Sequence, residues 1–462
     1  MSIRERMRET SWQVGVAVVA AVLAVVGCAL AGLSPWLPPV VALLGYVLAK
    51  PFAGLVYVAI VATTSLGLWA AGVEHVFGAA FGGREYLLDQ STVLVVLVHC
   101  TVAAVAVLRG GQRPGRGRLV AGGVVCAVLL LGLAVGMAHH GVVQSLLGVR
   151  YVVFPLLLLG LVAAQPARDR LRFATVLAWL LVANGVAALL EVMLGPGRLA
   201  AWGLDHGRAI RYIDGNFRAP GLTDFNADLG MLAGAYLLGY VGLWLDPASR
   251  PRQRAWHAGA IAAGLCLALS TSRSGAVLLA GGVIAAVVLN RGGGAARRRR
   301  ARFLGLGVLA LVAVGFVTVG ATGANSLFQR FDVWADLLRH DLPWWGRGVG
   351  AVGAASNSRF AHGEQVFVDN YYVSLALQFG PIVALATVVL IGVLLVRLAR
   401  DTATRPAAVV PVAALAGLAA SFLVLEAWEY DGAMLCLAAF VVATTVSSAP
   451  VAGPTDVPAE EA

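Results

Sequence analysis

Charge is what this sequence has least of. Asp, Glu, Lys and Arg make up 13% of its 462 residues, against 59% hydrophobic. A soluble domain carries about twice that share of charge, so a water-covered globular fold is excluded. Lysine is nearly missing: Lys50 stands alone among 34 basic residues. Also absent are paired cysteines at ligand spacing, an HExxH helix, a Ser-His-Asp pattern and a Walker loop. Zinc-site and nucleotide-driven chemistries are therefore not indicated. The five cysteines, Cys28, Cys100, Cys126, Cys266 and Cys436, lie in apolar runs and read as small hydrophobes. No hydrophilic stretch exceeds about 50 residues, which leaves no room for a large soluble domain.

What is present is a succession of apolar runs of about 17–25 residues, the length at which a helix crosses hydrocarbon. They fall at 12–33, 37–49, 52–72, 91–108, 119–138, 151–166, 172–194, 226–245, 256–271, 274–290, 303–320, 370–397, 407–425 and 432–447. The expected fold is an all-α, polytopic transmembrane bundle of about 12–14 spans. Residues 1–447 form one membrane domain; 448–462, Pro/Ala-rich and acidic, read as a disordered cytoplasmic tail. An N-terminal signal peptide lacks a clear cleavage site, so an uncleaved first span fits better.

Basic residues orient the bundle. With the N-terminus inside, 23 of the 34 basic residues but only 8 of the 24 acidic ones fall on the cytoplasmic side, ARRRRAR (296–302) among them. By the positive-inside rule both termini are cytoplasmic. The net charge of +10 then serves topology and anionic lipid, not nucleic acid. Segments 73–90, 195–225 and 321–369 fall outside, the last being the longest loop of the chain.

Polar chemistry collects in three places on that outer face. Arg273 interrupts two apolar spans in the sequence LALSTSRSGAVLLA. A charge at such depth costs up to about 3 kcal/mol, so it faces a polar cavity or snorkels from a re-entry turn. In RYIDGNFRAPGLTDFNADLG (211–230), Arg218, Asp224 and Asn226 precede or enter a span across a Pro-Gly turn as candidate site residues. Alternatively, Asn226 and Asp228 only cap that helix and Arg218 is a solvated loop charge. In the long loop, Arg330, Phe331, Trp334, Leu337 and Leu338 have the spacing of an interfacial amphipathic helix. Trp344 and Trp345 suit the interfacial aromatic belt. Gly348, Gly350 and Gly353 spell GxGxxG without a surrounding strand–helix unit, which rejects a dinucleotide site. His362 could transfer protons or be a solvated loop residue. Asp369, followed by Asn370, could be a general base or an N-cap. The trio Glu426, Glu429 and Asp431 reads as a short solvated acidic loop.

The ordered set STSRSG (270–275), GNFRAPGLTDFNA (215–227) and the loop from RFDVW through LPWWGRGVG to DNYYVSLALQFG resembles the O-antigen ligase and Wzy-type polymerase superfamily of bacterial surface-polysaccharide assembly. The resemblance spans about residues 200–400 and reaches the N-terminal half only as hydropathy. It implies a GT-C-like glycosyltransferase of the bacterial plasma membrane that needs no cofactor or metal. Its donor would be a polyprenyl-diphosphate-linked glycan, its acceptor a glycan or lipid-glycan. Arg218, Arg273 and Arg330 would clamp the diphosphate, Asp369 would be the base with His362 in reserve, and Asn370, Asn226 and Asp224 would support. Ligases of this superfamily begin the last motif with His-Asn. Asp369 stands at that position here, which points toward a polymerase or another acceptor. A secondary transporter or lipid-glycan flippase is the alternative, since it shares the many helices.

Overall fold

A computed structural model describes residues 37–64, 85–109, 115–201, 211–213, 216–245, 251–290, 324–339, 342–358 and 368–446, with isolated positions between them. The expected spans at 12–33 and 303–320 and the tail 448–462 lie essentially outside the described residues. The chain is all-α apart from one small hairpin. Its helices are α1 (Leu37–Ala49), α2 (Pro51–Ala62), α3 (Glu85–Arg109), α4 (Arg116–His140), α5 (Val142–Ala163), α6 (Ala167–Leu194) and α7 (Pro196–Ala201). After the antiparallel pair β1 (Arg211–Ile213) and β2 (Asn216–Arg218) come α8 (Asn226–Trp244), α9 (Arg254–Ser270) and α10 (Arg273–Leu289). Then follow α11 (Ala324–Arg339), α12 (Tyr371–Phe379), α13 (Pro381–Asp401), α14 (Val409–Ser421) and α15 (Asp431–Val446).

Among the described residues six helices are long and apolar enough to cross a membrane, in α3, α4, α5, α6, α8 and α13, and the bent pair α1–α2 makes a seventh if it counts as one span. Three departures from the expected spans have local causes. Runs 37–49 and 52–72 form a sharply bent pair over their described residues: α1 and α2 meet at 118° across Lys50–Pro51, where proline cannot continue a helical ladder. The single run 370–397 is broken at Gly380, with Pro381 starting the next helix. The run expected at 151–166 begins at Val142, so Arg150 lies inside α5 instead of in a loop.

Helix α8 is the axis. Two thirds of its apolar window is buried within the protein, compared with 11% for α4 and for α13. Those outer helices expose Val124, Leu130, Leu131, Leu385, Val389 and Leu390, as lipid-facing surfaces do. Small residues let α8 be surrounded closely. A Cβ on Gly234 would lie 2.4 Å from the Gly275 carbonyl oxygen of α10, and one on Gly239 would strike the Phe440 ring of α15. Without a hydrophobic force between helices in lipid, such backbone approach is what drives their association.

This makes Gly234 testable. Gly234→Ala should lower the melting temperature of the detergent-purified protein, in line with an overpacking cost of about 1–3 kcal/mol. Gly392→Ala on α13, where nothing lies within 4 Å, should leave it unchanged or slightly raised. Equal behaviour of the two would remove α8 from the centre of the bundle.

Candidate functional site

The site forms where helices stop. Between α9 and α10 the chain turns at Thr271, a non-glycine residue with φ +48°. Ser272 caps α10 by accepting from Gly275 N at 3.4 Å, and Arg273 is the first helical residue, half-buried. The polar break expected around Arg273 is thus a true interruption, packed against the start of α8. Asn226 does not cap α8. Its Nδ2 donates to Ser270 O at 3.0 Å, while Phe225 holds the cap position without a side-chain bond.

The preceding turn joins the same place. Ala219 N donates to Leu269 O at 3.2 Å, which sets Arg218, at the end of β2, beside the turn that carries Arg273. Two buried polar residues of α6 that sequence reasoning missed hold this turn. Glu191 Oε2 accepts from Gly221 N at 2.8 Å, and Asn184 Oδ1 accepts from Leu222 N at 3.0 Å. Asn184 also donates to Thr63 O at 3.3 Å, tying α2 to the same point. A carboxylate and an amide on an otherwise apolar helix are the signal that could have marked them. Asp224 is half-buried, within electrostatic range of Asp228 on the first turn of α8.

The other half of the site is the end of the long loop. Helix α11 is present as expected, with Trp334 turned in and Phe331 exposed. Trp334 Nε1 donates to Val368 O at 2.6 Å, and Arg330 Nη2 contacts Asp369 Oδ2 at 3.0 Å. Asp369 has φ +49° and, with Thr271, is one of two non-glycine residues in the left-handed region among the described residues. Such conformations cost about 1–3 kcal/mol and persist where the surroundings over-determine them. The capping role belongs to its neighbour: Asn370 Oδ1 accepts from Tyr372 N and Val373 N at 3.0 and 3.1 Å. Asp369 is therefore left to Arg330. His362 lies outside the described residues.

A corner, residues 422–430 between α14 and α15, underlies Asp369. Tyr371 N donates to Phe422 O at 2.8 Å, Asn370 Nδ2 to Leu423 O at 3.3 Å and Arg330 Nη1 to Val424 O at 3.4 Å. This corner corrects the reading of Glu426, Glu429 and Asp431 as a solvated loop. Glu429 Oε2 accepts from Ala354 N at 2.8 Å, and Arg150 Nη2 meets Asp431 Oδ2 at 3.5 Å. Glu426 Oε1 is buried with no hydrogen-bond partner among the described residues. Burial, then the charge of Glu429, pushes the Glu426 carboxyl well above the usual carboxylate range; burial also raises Glu429. Tyr430 is held protonated by burial and by Asp228, Asp369, Glu426 and Glu429 around it. Asp228 from the start of α8 and Asp369 from the loop end thus share Tyr430 as an electrostatic neighbour.

Residues 346–353 are not a surface loop. Val349 N donates to Gly132 O at 2.9 Å, eight residues before the end of α4, or about 12 Å down its axis. Gln378 and Gln144 serve this segment: Gly350 N donates to Gln378 Oε1 at 3.2 Å, and Gln144 Nε2 to Gly350 O at 2.8 Å. Irregular backbone at such depth is tolerated only when enclosed by protein that satisfies it. The GxGxxG spacing therefore has a packing cause. Gly348 has φ +89°, and a Cβ there would lie 2.2 Å from Gly136 N. No protein-family model, curated protein or solved structure matches the chain.

The raised carboxyls give a pH dependence. A carboxyl whose folded pKa lies above its unfolded value binds more protons when folded, so stability is full below the ordinary carboxylate range and falls as pH rises. The melting temperature should decrease from pH 5 to pH 9, and Glu426→Gln should flatten that slope. An unchanged slope in the variant would separate Glu426 from the effect.

Proposed function

We propose that the chain is a glycosyltransferase of the bacterial plasma membrane that polymerises or ligates glycans at the outer face, with both termini cytoplasmic and a GT-C-like helical body. The observation that carries this reading is two arginine-bearing interruptions of the helices: Arg218 beside the Arg273 turn, and Arg330 ion-paired with Asp369. Guanidinium forks bind diphosphate oxygens bidentately and keep their charge in a partly dry site.

In this reading a polyprenyl-diphosphate-linked glycan enters with its diphosphate against Arg218 and Arg273. Its phosphate oxygens compete with Asp369 for Arg330, which frees the carboxylate. Asp369 then takes the proton of the acceptor hydroxyl as its oxygen attacks the anomeric carbon. The bond from that carbon to the diphosphate oxygen breaks, its electron pair leaves with polyprenyl diphosphate, and the anomeric configuration inverts. Asn370 and Asn226 hold the surrounding backbone, Asp224 is a supporting residue, and His362 is the second candidate base. The mechanism draws on positioning and charge and needs no cofactor.

One observation favours a transporter or lipid-glycan flippase: helix breaks beside buried carboxylates also occur where transporters bind coupling ions. Purified protein in vesicles with a labelled lipid-diphosphate glycan separates the two. The transferase makes a longer glycan and free lipid diphosphate, and does so in EDTA. Movement of intact donor across the bilayer without a new glycosidic bond, or strict need for added divalent metal, counts against it. Arg218→Ala and Arg273→Ala should each lose on the order of 10²-fold in rate with expression intact. Normal turnover in both would remove them from the site.

Orientation has its own test. Trp345 is exposed, at 56%, so Trp345→Cys should react with an impermeant maleimide on intact cells. Reaction only after permeabilisation would invert the topology.

A further inference from the structure

The corner at 422–430 grips the long loop twice. At the loop's exit, the carbonyls of Phe422, Leu423 and Val424 receive Tyr371, Asn370 and Arg330. At the earlier point, the Glu429 carboxylate receives the amide of Ala354 and lies over the bare face of Gly353, where a Cβ would come within 2.4 Å of Oε1. Gly353 has φ +77°, and its carbonyl is held from the other side by Ser356 Oγ and Asn357 Nδ2, both at 2.9 Å. The corner is itself fixed to α5 through Trp428 Nε1 to Val152 O at 2.9 Å and through Arg150 to Asp431. Glu429 is therefore the one side chain of the corner that reaches the descending glycine segment by a described hydrogen bond.

We propose that Glu429 is a positioning residue: its carboxylate seats the Gly353–Ala354 turn on the corner that also supports Asp369, so that the descending glycine segment and the Asp369 carboxylate are held as one unit. The seat depends on a hydrogen-bond acceptor at the Glu429 position and on the missing side chain at residue 353. An amide oxygen would do the same work as the carboxylate; a methyl group would not. The catalytic consequence rests on the transferase reading above, whereas the seat itself does not.

The test uses Ser356→Cys, at a position only 1% exposed, in the full chain with its native cysteines replaced by alanine. With Glu429 present, an impermeant maleimide should label Cys at 356 slowly. Glu429→Ala and Gly353→Ala should each speed labelling by about tenfold or more, because the turn opens locally. Glu429→Gln should stay near the parent rate. In transfer assays Glu429→Ala should lower kcat with little change in KM, and Glu429→Gln should restore most of it. Equal labelling in all four proteins, or a Gln variant as reactive as the Ala variant, overturns the seat. If Glu429→Ala does not fold, Gly353→Ala with intact Glu429 still reads the same contact. The expected labelling pattern in a protein that forms no glycosidic bond would retain the seat and reject the transferase.

Discussion

Every interruption of a helix in this bundle strands backbone amides and carbonyls where lipid offers nothing to bond them. The protein meets that constraint with itself. The break at Thr271 is closed by Ser272 and by Asn226 from α8. The break after Asp369 is closed by Asn370 and by the carbonyls of the 422–430 corner. The turn at Pro220–Thr223 is closed by Glu191 and Asn184. The partners that satisfy these breaks are polar side chains, so the places where helices end are also the places where polar chemistry is concentrated. A site assembled this way is rigid because its backbone has no alternative partner.

Electrostatics divides the site into two characters. Arg218 ends β2 and Arg273 starts α10. Glu426, Glu429, Asp431, Asp228 and Asp369 gather round Tyr430. Arg330 and Arg150 each pair with one carboxylate, Asp369 and Asp431. The acidic end would be unstable if every member were ionised. Burial raises Glu426 and Glu429 and relieves that repulsion.

Much of the fold was legible because hydrocarbon imposes length and apolarity on any helix that crosses it. Runs 226–245 and 274–290 match α8 and α10 within a few residues. The break at Gly380–Pro381 carried a readable proline signal that apolar length overrode, whereas the one at Lys50–Pro51 already separated two runs. The hairpin carried an Asp-Gly turn signal, with Asp214–Gly215 between β-forming Tyr212 and Ile213 and Phe217. Candidates Arg330 and Asp369 were named separately; their pairing follows from how α11 folds back, held by Trp334 on Val368. The acidic corner was misread because Glu426, Glu429 and Asp431 look like any short loop until Ala354 closes on Glu429 and Arg150 on Asp431. Those contacts join positions 75 to 281 residues apart, as with Ala354 to Glu429 and Arg150 to Asp431, and no local pattern records them.

Since one corner holds the chain at Ala354 and again at Asn370 and Tyr371, the stretch between these anchors begins and ends at points set by bonds outside it. Doubling the length of such a stretch costs only about 0.6 kcal/mol in closure entropy. Insertions there that keep Val368 on Trp334 would leave the Arg330–Asp369 pair in place. A lineage could thus lengthen that stretch while inheriting the same two anchors.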